Sequence, residues 1–326
     1  MLIDNHGRPI SYLRLAVTDR CNLRCFYCMP EEGISFLPKP HLLTFEEMLR
    51  MVGIMAGMGI SKVRITGGEP FVRKELMQFL TKLVAIPGIE KVNITTNGVL
   101  IGPLIPELKA LGINTINLSL DTLDRGRFKE MTRRDELPTV LKTLDALLEN
   151  DIETKINAVI MAGKNDQDIV SLVGLSKALP VSVRFIEEMP FNGSGLNEEA
   201  FMSYHKIVGK IMEAYPSLTK IKDEVSSTSY NYKIENHLGS VGVIAAYSRT
   251  FCGTCNRIRV TPTGTFKTCL YDDGVLNIRD LLRQTSDDGL IKERLTQAFT
   301  HRAKDGFEAE ASRSSLVTES MTTIGG

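Results

Sequence analysis

The segment YLRLAVTDRCNLRCFYCMP (12–30) begins with the alternation of a β-strand and runs straight into a loop that contains three cysteines. Cys21, Cys25 and Cys28, the first triplet, have the spacing C-x3-C-x2-C. Structural zinc takes four protein ligands, and disulfide bonds use cysteines in pairs. A [4Fe–4S] cluster is usually held by cysteine thiolates, and three thiolates leave one of its four irons open. The loop therefore predicts an iron–sulfur site with a vacant position for a substrate.

All six cysteines of the chain fall into two groups of three. The second triplet, Cys252, Cys255 and Cys269, has the spacing C-x2-C-x13-C and lies more than 200 residues after the first. Zinc held by three cysteines and one histidine is the alternative for either group. His41 follows the first triplet and His237 precedes the second, but neither has the spacing of a zinc finger. We therefore favour an iron–sulfur cluster at both triplets.

Composition and charge narrow the class of protein. The chain has 326 residues, 43% of them hydrophobic, which allows one large α/β domain with an appendage or two domains. Its 39 basic and 39 acidic residues balance, so no global field attracts nucleic acid or a membrane as a partner. The N-terminal sequence lacks the apolar core of a signal peptide, and no long apolar run predicts a membrane span. We expect a cytoplasmic, reducing location, where cysteines bind metals or catalyse reactions.

Strand-like and helix-like segments alternate through the first two-thirds of the chain. This alternation predicts a parallel sheet with right-handed crossovers. Thr44 and Glu47 form a capping box that marks the start of the first helix. The predicted strands are 12–18, 62–66, 91–96, 115–120, 154–160 and 182–188. The other predicted helices cover roughly 73–85, 103–111, 138–149, 166–178 and 199–213.

Six βα units are too few for a closed eight-stranded barrel. We predict an α/β fold, a partial (β/α)6 barrel of the TIM type, open on one side and formed by residues 1–217. From about residue 218 the pattern changes to short strands, glycines and turns, followed by a charged helical tail. Residues 218–326 are expected to form a second region that closes the open side of the barrel.

One face of every predicted strand is polar. Buried parallel strands are normally apolar on both faces, and enclosed cations without a counter-charge are costly. Four of the six strands carry a cation on the polar face, so we predict a lumen that holds a polar, anionic ligand. The alternative is that these faces meet solvent at the strand ends. The side chains are Arg14, Ala16, Thr18, Lys62, Arg64, Thr66, Asn93, Thr95, Asn97, Asn117, Ser119, Asp121, Lys155, Asn157, Ser182 and Arg184.

Two motifs resemble those of the radical S-adenosylmethionine (SAM) enzymes. The C-x3-C-x2-C loop, with Tyr27 between its last two cysteines, follows the first strand of a βα series, as in that superfamily. ITGGEP (65–70), after the second strand, resembles the glycine-rich element that contacts the methionine part of SAM. Gly67 and Gly68 lack a Cβ atom and allow the backbone to approach a ligand closely.

A longer series of segments resembles the GTP 3′,8-cyclase family, molybdenum cofactor biosynthesis protein A (MoaA). The match covers almost the whole chain in order, and FCGTCNRIRVTPTG (251–264) with the lone Cys269 is its most specific part. Residues 190–199 depart from the family pattern. The other matching segments are 13–30, 64–70, 95–98, 117–121, 155–160, 184–190 and Gly325–Gly326.

The resemblance implies two [4Fe–4S] clusters, one on each triplet, and SAM bound to the open iron of the first. The open iron of the second would bind the purine of GTP, and Arg257 and Arg259 would be catalytic. The implied SAM contacts are Tyr27, Gly68, Ser119 and Met189. The implied GTP contacts are Arg14, Lys62, Arg64, Thr95, Lys155, Arg184, Arg257 and Arg259.

The implied activity is radical SAM cyclisation of GTP to (8S)-3′,8-cyclo-7,8-dihydroguanosine 5′-triphosphate, the first step of molybdenum cofactor biosynthesis. The implied partners are a flavodoxin-like or other electron donor and a downstream cyclic pyranopterin monophosphate synthase, and a homodimer is compatible with the family. The Gly325–Gly326 tail is expected to enter the active site.

Two other functions compete with this interpretation. A peptide-modifying radical SAM maturase with an auxiliary cluster usually has more cysteines in its C-terminal part than the three found here. A cation-lined lumen also suits a nucleotide better than a peptide. A non-enzymatic iron–sulfur or zinc scaffold that binds nucleic acid is disfavoured by the neutral charge and the lack of a basic, aromatic run.

Overall fold

A computed structural model describes residues 2–29, 36–189, 191, 201–314 and 319–325. Most of the segment 190–199, for which no family match was assigned, lies outside the described residues, and so does Gly326. The strands are β1 (Leu2–Ile3), β2 (Pro9–Ile10), β3 (Tyr12–Ala16), β4 (Lys62–Thr66), β5 (Lys91–Thr96), β6 (Thr115–Ser119), β7 (Glu153–Ile160), β8 (Ser182–Glu187), β9 (Thr219–Lys220), β10 (Ser229–Lys233), β11 (Ser240–Ile244), β12 (Arg257–Val260), β13 (Thr265–Lys267) and β14 (Leu276–Asn277).

Helices cover the outer face of the sheet. They are α1 (Phe45–Met58), α2 (Leu76–Val84), α3 (Ile105–Ala110), α4 (Arg125–Thr132), α5 (Leu137–Glu149), α6 (Ile169–Ala178), α7 (Tyr204–Ala214), α8 (Ile278–Gln284), α9 (Asp288–Phe299), α10 (Gly306–Ala311) and α11 (Met321–Ile324). The capping box at the start of α1 is confirmed: the Glu47 amide donates to Thr44 Oγ1 at 3.1 Å, and the Thr44 amide donates to Glu47 Oε2 at 2.8 Å.

The six predicted strands β3 to β8 form a continuous parallel series, which confirms the predicted partial barrel. The region after residue 217 extends this series at both edges. β11 pairs in parallel with β8, and β12 pairs in parallel with β3. Short antiparallel strands then continue outward from each, so the sheet ends at β14 on one side and β9 on the other.

Each barrel strand turns one face outward to the helices and the other into the lumen. In β3, Leu13 and Leu15 are fully buried in a core that also contains Val63 and Ile65 of β4. This alternation of period two places the residues between them on the lumen side. The apolar outer face explains why α1 and α2 pack there, and it leaves the inner face for polar side chains.

The observed helices differ from the predicted ones at several places; for example, α6 begins at Ile169 rather than at residue 166, and α7 at Tyr204 rather than at residue 199. α4 was not predicted, because only three of its side chains are buried and its apolar periodicity is weak; Asp124 caps it by accepting from the Arg127 amide. α2 begins at Leu76 rather than near residue 73, because Glu75 adopts a left-handed backbone with φ +64° immediately before it. In the part of the chain that the structure describes, no helix is long and apolar enough to cross a membrane.

Candidate active site in the barrel lumen

A cavity of about 450 Å³ occupies the lumen, and both cysteine triplets line it. Every residue predicted as a metal ligand, SAM contact or GTP contact lines this cavity. They come from all six barrel strands or the loops after them, from β12 and the loop before it, and from the loop after β13. Of the residues predicted on the polar face, four are absent from the cavity lining: Ala16, Thr18, Asn93 and Ser182. The lumen reading of the strand faces therefore holds for most of the predicted positions.

The first triplet lies in a loop that is tightly packed against the glycine-rich turn after β4. The amides of Cys28 and Met29 both donate to the Cys25 carbonyl at 2.9 Å, which folds the loop back on itself. The Gly68 amide donates to the Thr18 carbonyl at 2.8 Å, and a Cβ atom on Gly68 would lie 2.3 Å from the Arg20 carbonyl oxygen. Glycine at this position is therefore what allows the two loops to meet.

The carboxylate of Glu69 anchors the same turn from behind. It accepts hydrogen bonds from the Asn97 amide at 2.7 Å, from Thr96 Oγ1 at 2.9 Å and from the Phe71 amide at 3.2 Å. Asn97 in turn places its side-chain amide 3.7 Å from Cys21 Sγ. Burial raises the pKa of Glu69 to about 7, although these hydrogen bonds favour the charged form.

Tyr27 and Asp121 connect the first triplet to the end of β6. The Tyr27 hydroxyl donates to Asp121 Oδ2 at 2.7 Å, and the other carboxylate oxygen accepts from the Val159 amide. Burial raises the pKa of Asp121 to about 6 and that of the Cys21 thiol to about 11. Burial and neighbouring negative charge also raise the pKa values of Cys25 and Cys28. A positively charged metal centre would reverse this effect on the thiols.

The second triplet has a different electrostatic environment. Cys255 Sγ accepts from Arg257 Nη2 at 3.4 Å and from Arg302 Nη2 at 3.3 Å. Burial alone would raise the pKa of Cys255, but the charges of these two arginines outweigh it and lower the pKa to about 6. Burial raises the pKa of Cys269 to about 11; the amide of Cys269 donates to the Asp272 carboxylate at 2.8 Å.

The donor chemistry of both triplets fits an iron–sulfur cluster. Each supplies three free thiols to one wall of the same cavity. Among the residues that the structure describes, no three His, Cys, Asp or Glu side chains converge as the ligands of a single metal ion do. Three thiolates are the set that leaves one iron of a [4Fe–4S] cluster open.

Cations from neighbouring strands stand side by side in the lumen. Arg259 of β12 is in register with Arg14 of β3, which is in register with Arg64 of β4. Burial, followed by the charge of Arg259, lowers the pKa of Arg14 well below its usual value. Burial and neighbouring charge lower the pKa values of Arg259 and Arg184 to about 10, and those of Lys62 and Lys155 are also lowered. The positive charge of these side chains is therefore not balanced by the negative charge around them.

Several buried polar atoms in the lumen have no hydrogen-bond partner among the described residues. Their number indicates that a polar ligand completes the site, because buried polar atoms are normally paired. The Lys155 ammonium, in contrast, pairs with Glu153 Oε1 at 2.6 Å. The unpaired lumen atoms are Arg64 Nε, Arg184 Nε, Thr95 Oγ1, Asn117 Oδ1 and Asn157 Oδ1.

Sequence reasoning missed two residues that shape the site. The Tyr12 ring lies 4.8 Å from Lys62 Nζ and 5.6 Å from the Arg64 guanidinium carbon, so it holds both cations by cation–π contact. Tyr12 is two residues before Arg14, and the same alternation could have found it. Arg302 comes from the tail beyond α9, where no periodicity or motif in the sequence marks it.

The C-terminal tail reaches the lumen, as expected for Gly325. The Gly325 carbonyl accepts from Arg259 Nη1 at 3.0 Å, and its backbone has φ +79°. A Cβ atom there would lie 2.7 Å from Ala16 Cβ and 2.9 Å from Thr66 Oγ1, so the fit requires glycine. Gly326, the other residue of the expected tail, lies outside the described residues.

Comparisons with known proteins agree with this geometry. Residues 15–175 match the radical SAM superfamily, and residues 181–307 match the family Molybdenum Cofactor Synthesis C. The mitochondrial GTP 3′,8-cyclase of Arabidopsis thaliana is 38% identical over 327 residues, which cover 100% of this chain and 84% of the relative. The GTP 3′,8-cyclase of Syntrophomonas wolfei is 40% identical over 96% of this chain and 98% of its own. The chain belongs to the GTP 3′,8-cyclase family.

Some relatives are much longer than this chain. Molybdenum cofactor biosynthesis protein 1 of Homo sapiens is 39% identical over 86% of this chain, but the match spans only 44% of the human protein.

Solved structures share the fold at low sequence identity. SuiB of Streptococcus suis has a TM-score of 0.61 at 16% identity and covers 88% of this chain and 68% of its own. Native anSMEcpe with bound AdoMet has a TM-score of 0.58 at 16% identity, and the match covers 96% of this chain and 93% of anSMEcpe.

Membership of the cyclase family confirms the expected cofactors, SAM and [4Fe–4S] clusters, and two clusters match the two triplets. It also favours the cyclase over the maturase alternative. The likeness to SuiB and to anSMEcpe concerns the fold alone, because each is only 16% identical to this chain. The residues predicted to contact SAM and GTP all line the cavity, and their contacts with these two molecules remain predictions.

Replacing Gly68 with alanine should detach the first cluster without unfolding the chain. The new Cβ would meet the Arg20 carbonyl and force the cysteine loop away from the turn. We expect iron content after anaerobic reconstitution to fall by about half, because the second triplet keeps its cluster. G57A is the matched control, since Gly57 in α1 has nothing within 4 Å of an added Cβ. Equal iron in G68A and the control would contradict this role.

The buried Glu69 carboxyl should make stability depend on pH. Its folded pKa of about 7 lies above the ordinary value of 4.5, so the folded state binds the extra proton between these limits. Stability from this group is therefore complete below pH 4.5 and is lost as pH rises to about 7. We expect the metal-free wild type to lose on the order of 3 kcal/mol relative to E69Q across this window. Urea unfolding at several pH values measures it, and parallel profiles for the two proteins would exclude the effect.

Proposed function

We propose that this chain cyclises GTP to (8S)-3′,8-cyclo-7,8-dihydroguanosine 5′-triphosphate with SAM, the first step of molybdenum cofactor biosynthesis. The observation that carries the proposal is that both cysteine triplets line one cavity together with a group of cations. A radical reaction between two bound molecules needs both held in one enclosed place. The names of the closely related cyclases support the substrate and the product.

The end of the lumen near the first triplet is proposed to bind SAM. Tyr27 and Gly68 lie in the loops that carry and support the triplet, and Ser119 ends β6 beside them. Met189 lines the same cavity after β8. When bound there, SAM and the reduced cluster supply the one-electron chemistry that removes a hydrogen atom from an unactivated carbon. The chain itself fixes where that hydrogen must be.

The other end of the lumen is proposed to bind GTP. The second triplet would hold the cluster whose open iron contacts the purine. The triphosphate carries several negative charges, and Arg forks and Lys ammonium groups match its oxygens. The residues proposed to bind it are Arg14, Lys62, Arg64, Thr95, Lys155, Arg184, Arg257 and Arg259.

Arg257 and Arg259 are proposed to act directly in the reaction. They are two apart on β12, so both project into the lumen, and each contacts a different part of the site. Arg257 donates to Cys255 Sγ, and Arg259 donates to the carbonyl of Gly325 in the tail. Together they hold the charged substrate between the second cluster and the tail while the ribose faces the SAM end.

The proposed reaction breaks the C3′–H bond of the ribose and forms a bond between C3′ and C8 of guanine. One external electron is used when SAM is cleaved, and a second electron with a proton completes the dihydro product. The proposal therefore includes an electron donor, flavodoxin-like or another reductant, and hand-off of the product to a cyclic pyranopterin monophosphate synthase. We further propose that the protein is cytoplasmic and has no nucleic-acid partner. A homodimer is the assembly to test. Residues 1–217 and 218–326 are proposed as two functional domains.

Anaerobic turnover tests the proposed function. Protein reconstituted with iron and sulfide should contain about eight irons per chain, as two four-iron clusters require. With dithionite, SAM and GTP it should form 5′-deoxyadenosine and the cyclised nucleotide in equal amounts, measured by mass spectrometry. R259A should weaken GTP binding far more than SAM binding. 5′-Deoxyadenosine formation that is independent of GTP would favour the maturase, and one zinc with no iron would refute both.

A further inference from the structure

A buried ionic network lies against the second triplet and contacts the backbone of its cysteines. Asp4, in the hairpin between β1 and β2, has a fully buried side chain. Its Oδ2 atom accepts from Arg8 Nε at 2.7 Å and from Arg302 Nη1 at 3.1 Å. The Arg302 side chain is 3% exposed and the Arg8 side chain 6%. Two buried cations share one carboxylate, so the network has an excess positive charge.

This network holds the backbone around all three cysteines of the second triplet. Arg8 Nη1 donates to the Cys252 carbonyl at 3.0 Å. Arg302 Nη1 donates to the Cys255 carbonyl at 3.0 Å, and Arg302 Nε donates to the carbonyl of Thr268, the residue before Cys269, at 3.0 Å. The guanidinium groups of Arg8 and Arg302 thus connect the N-terminal hairpin and the C-terminal tail to the segment that contains the second triplet.

Arg302 also contacts a sulfur atom directly. Its Nη2 atom lies 3.3 Å from Cys255 Sγ and 2.9 Å from the Arg257 carbonyl. Arg8, in the same network, has backbone carbonyls and Asp4 as its partners. Both arginines therefore hold the backbone, but only Arg302 of the two also donates a hydrogen bond to the sulfur of Cys255, a proposed cluster ligand.

The first triplet has a different partner at its sulfur. There the side chains that donate to sulfur are neutral: the Asn97 amide, at the longer distance of 3.7 Å from Cys21 Sγ, and the Tyr27 hydroxyl, which interacts with Cys25. The carboxylate of Asp121 is bonded to Tyr27 within the same loop. Positive charge and hydrogen bonds at a cluster's sulfurs favour the reduced, more negative state, whereas negative charge disfavours it. The two sites are therefore built to differ in reduction potential.

We propose that Arg302 is a positioning residue that, through its hydrogen bond to Cys255 Sγ, raises the reduction potential of the second cluster. This inference rests on the proposal that the second triplet holds a [4Fe–4S] cluster. Arg302 stabilises the added electron because its charge is only half balanced by Asp4, which it shares with Arg8. A cluster that accepts electrons more readily than its partner suits a site that contacts the substrate rather than SAM.

Redox titration of the complete, reconstituted protein, followed by electron paramagnetic resonance, tests the proposal. The signal perturbed by GTP belongs to the second cluster, and the signal perturbed by SAM belongs to the first. In R302M, which removes the charge and the donors, the potential of the second cluster should shift to a more negative value, while the first cluster keeps its potential. R8M is the matched control and should give a smaller shift, because Arg8 makes no hydrogen bond to sulfur among the described residues.

The remaining outcomes are decisive as well. An unchanged potential in R302M, or equal shifts in R302M and R8M, would overturn the inference. If R302M does not retain the second cluster, R302K and R302Q are compared, and the same potential in both would overturn it because only R302K keeps the charge. If the wild type shows no cluster signal that responds to GTP, the proposed function itself fails, which distinguishes the two failures.

Discussion

Positive charge enclosed in the barrel lumen is the constraint on which the rest of this structure depends. Arg259, Arg14 and Arg64 occupy one row across three neighbouring strands, and Arg184 and Lys155 face the same space from β8 and β7. Such a group is costly to bury unless an anion completes it. The lowered pKa values of Arg14, Arg184 and Arg259 express that cost. Arg64 Nε and Arg184 Nε are also buried without a hydrogen-bond partner among the described residues. A nucleoside triphosphate is an anion of the right kind.

The sheet topology turns this charge into a two-ended site. β12 pairs with β3, so the cations and cysteines of the C-terminal region stand beside those of the first barrel strand. The loop before β12 contains Cys252 and Cys255, and the loop after β3 contains the first triplet, and both line one cavity. The tail enters the same cavity with Gly325 against Arg259. The proposed binding sites for GTP and SAM thereby share one small volume with the tail.

Much of this site could be predicted from the sequence, because short-range patterns determine it. The bounds of β4 and β5 agree with the prediction, and the alternation along them placed Arg64 and Thr95 correctly on the lumen side. What the sequence could not show depends on long-range packing. The pairing of β11 and β12 with the barrel edges, the weakly apolar α4, and the contact of Arg302 with Cys255 have no local signature.

The central claim is that the lumen binds its substrate mainly through the triphosphate. The most direct measurement compares the affinities of the anaerobically reconstituted protein for GTP, GDP, GMP and guanosine by equilibrium dialysis at two salt concentrations. The account predicts that affinity falls with each phosphate removed and that the GTP affinity falls most with added salt, since charge carries the binding. Equal affinities for guanosine and GTP, with no dependence on salt, would contradict it.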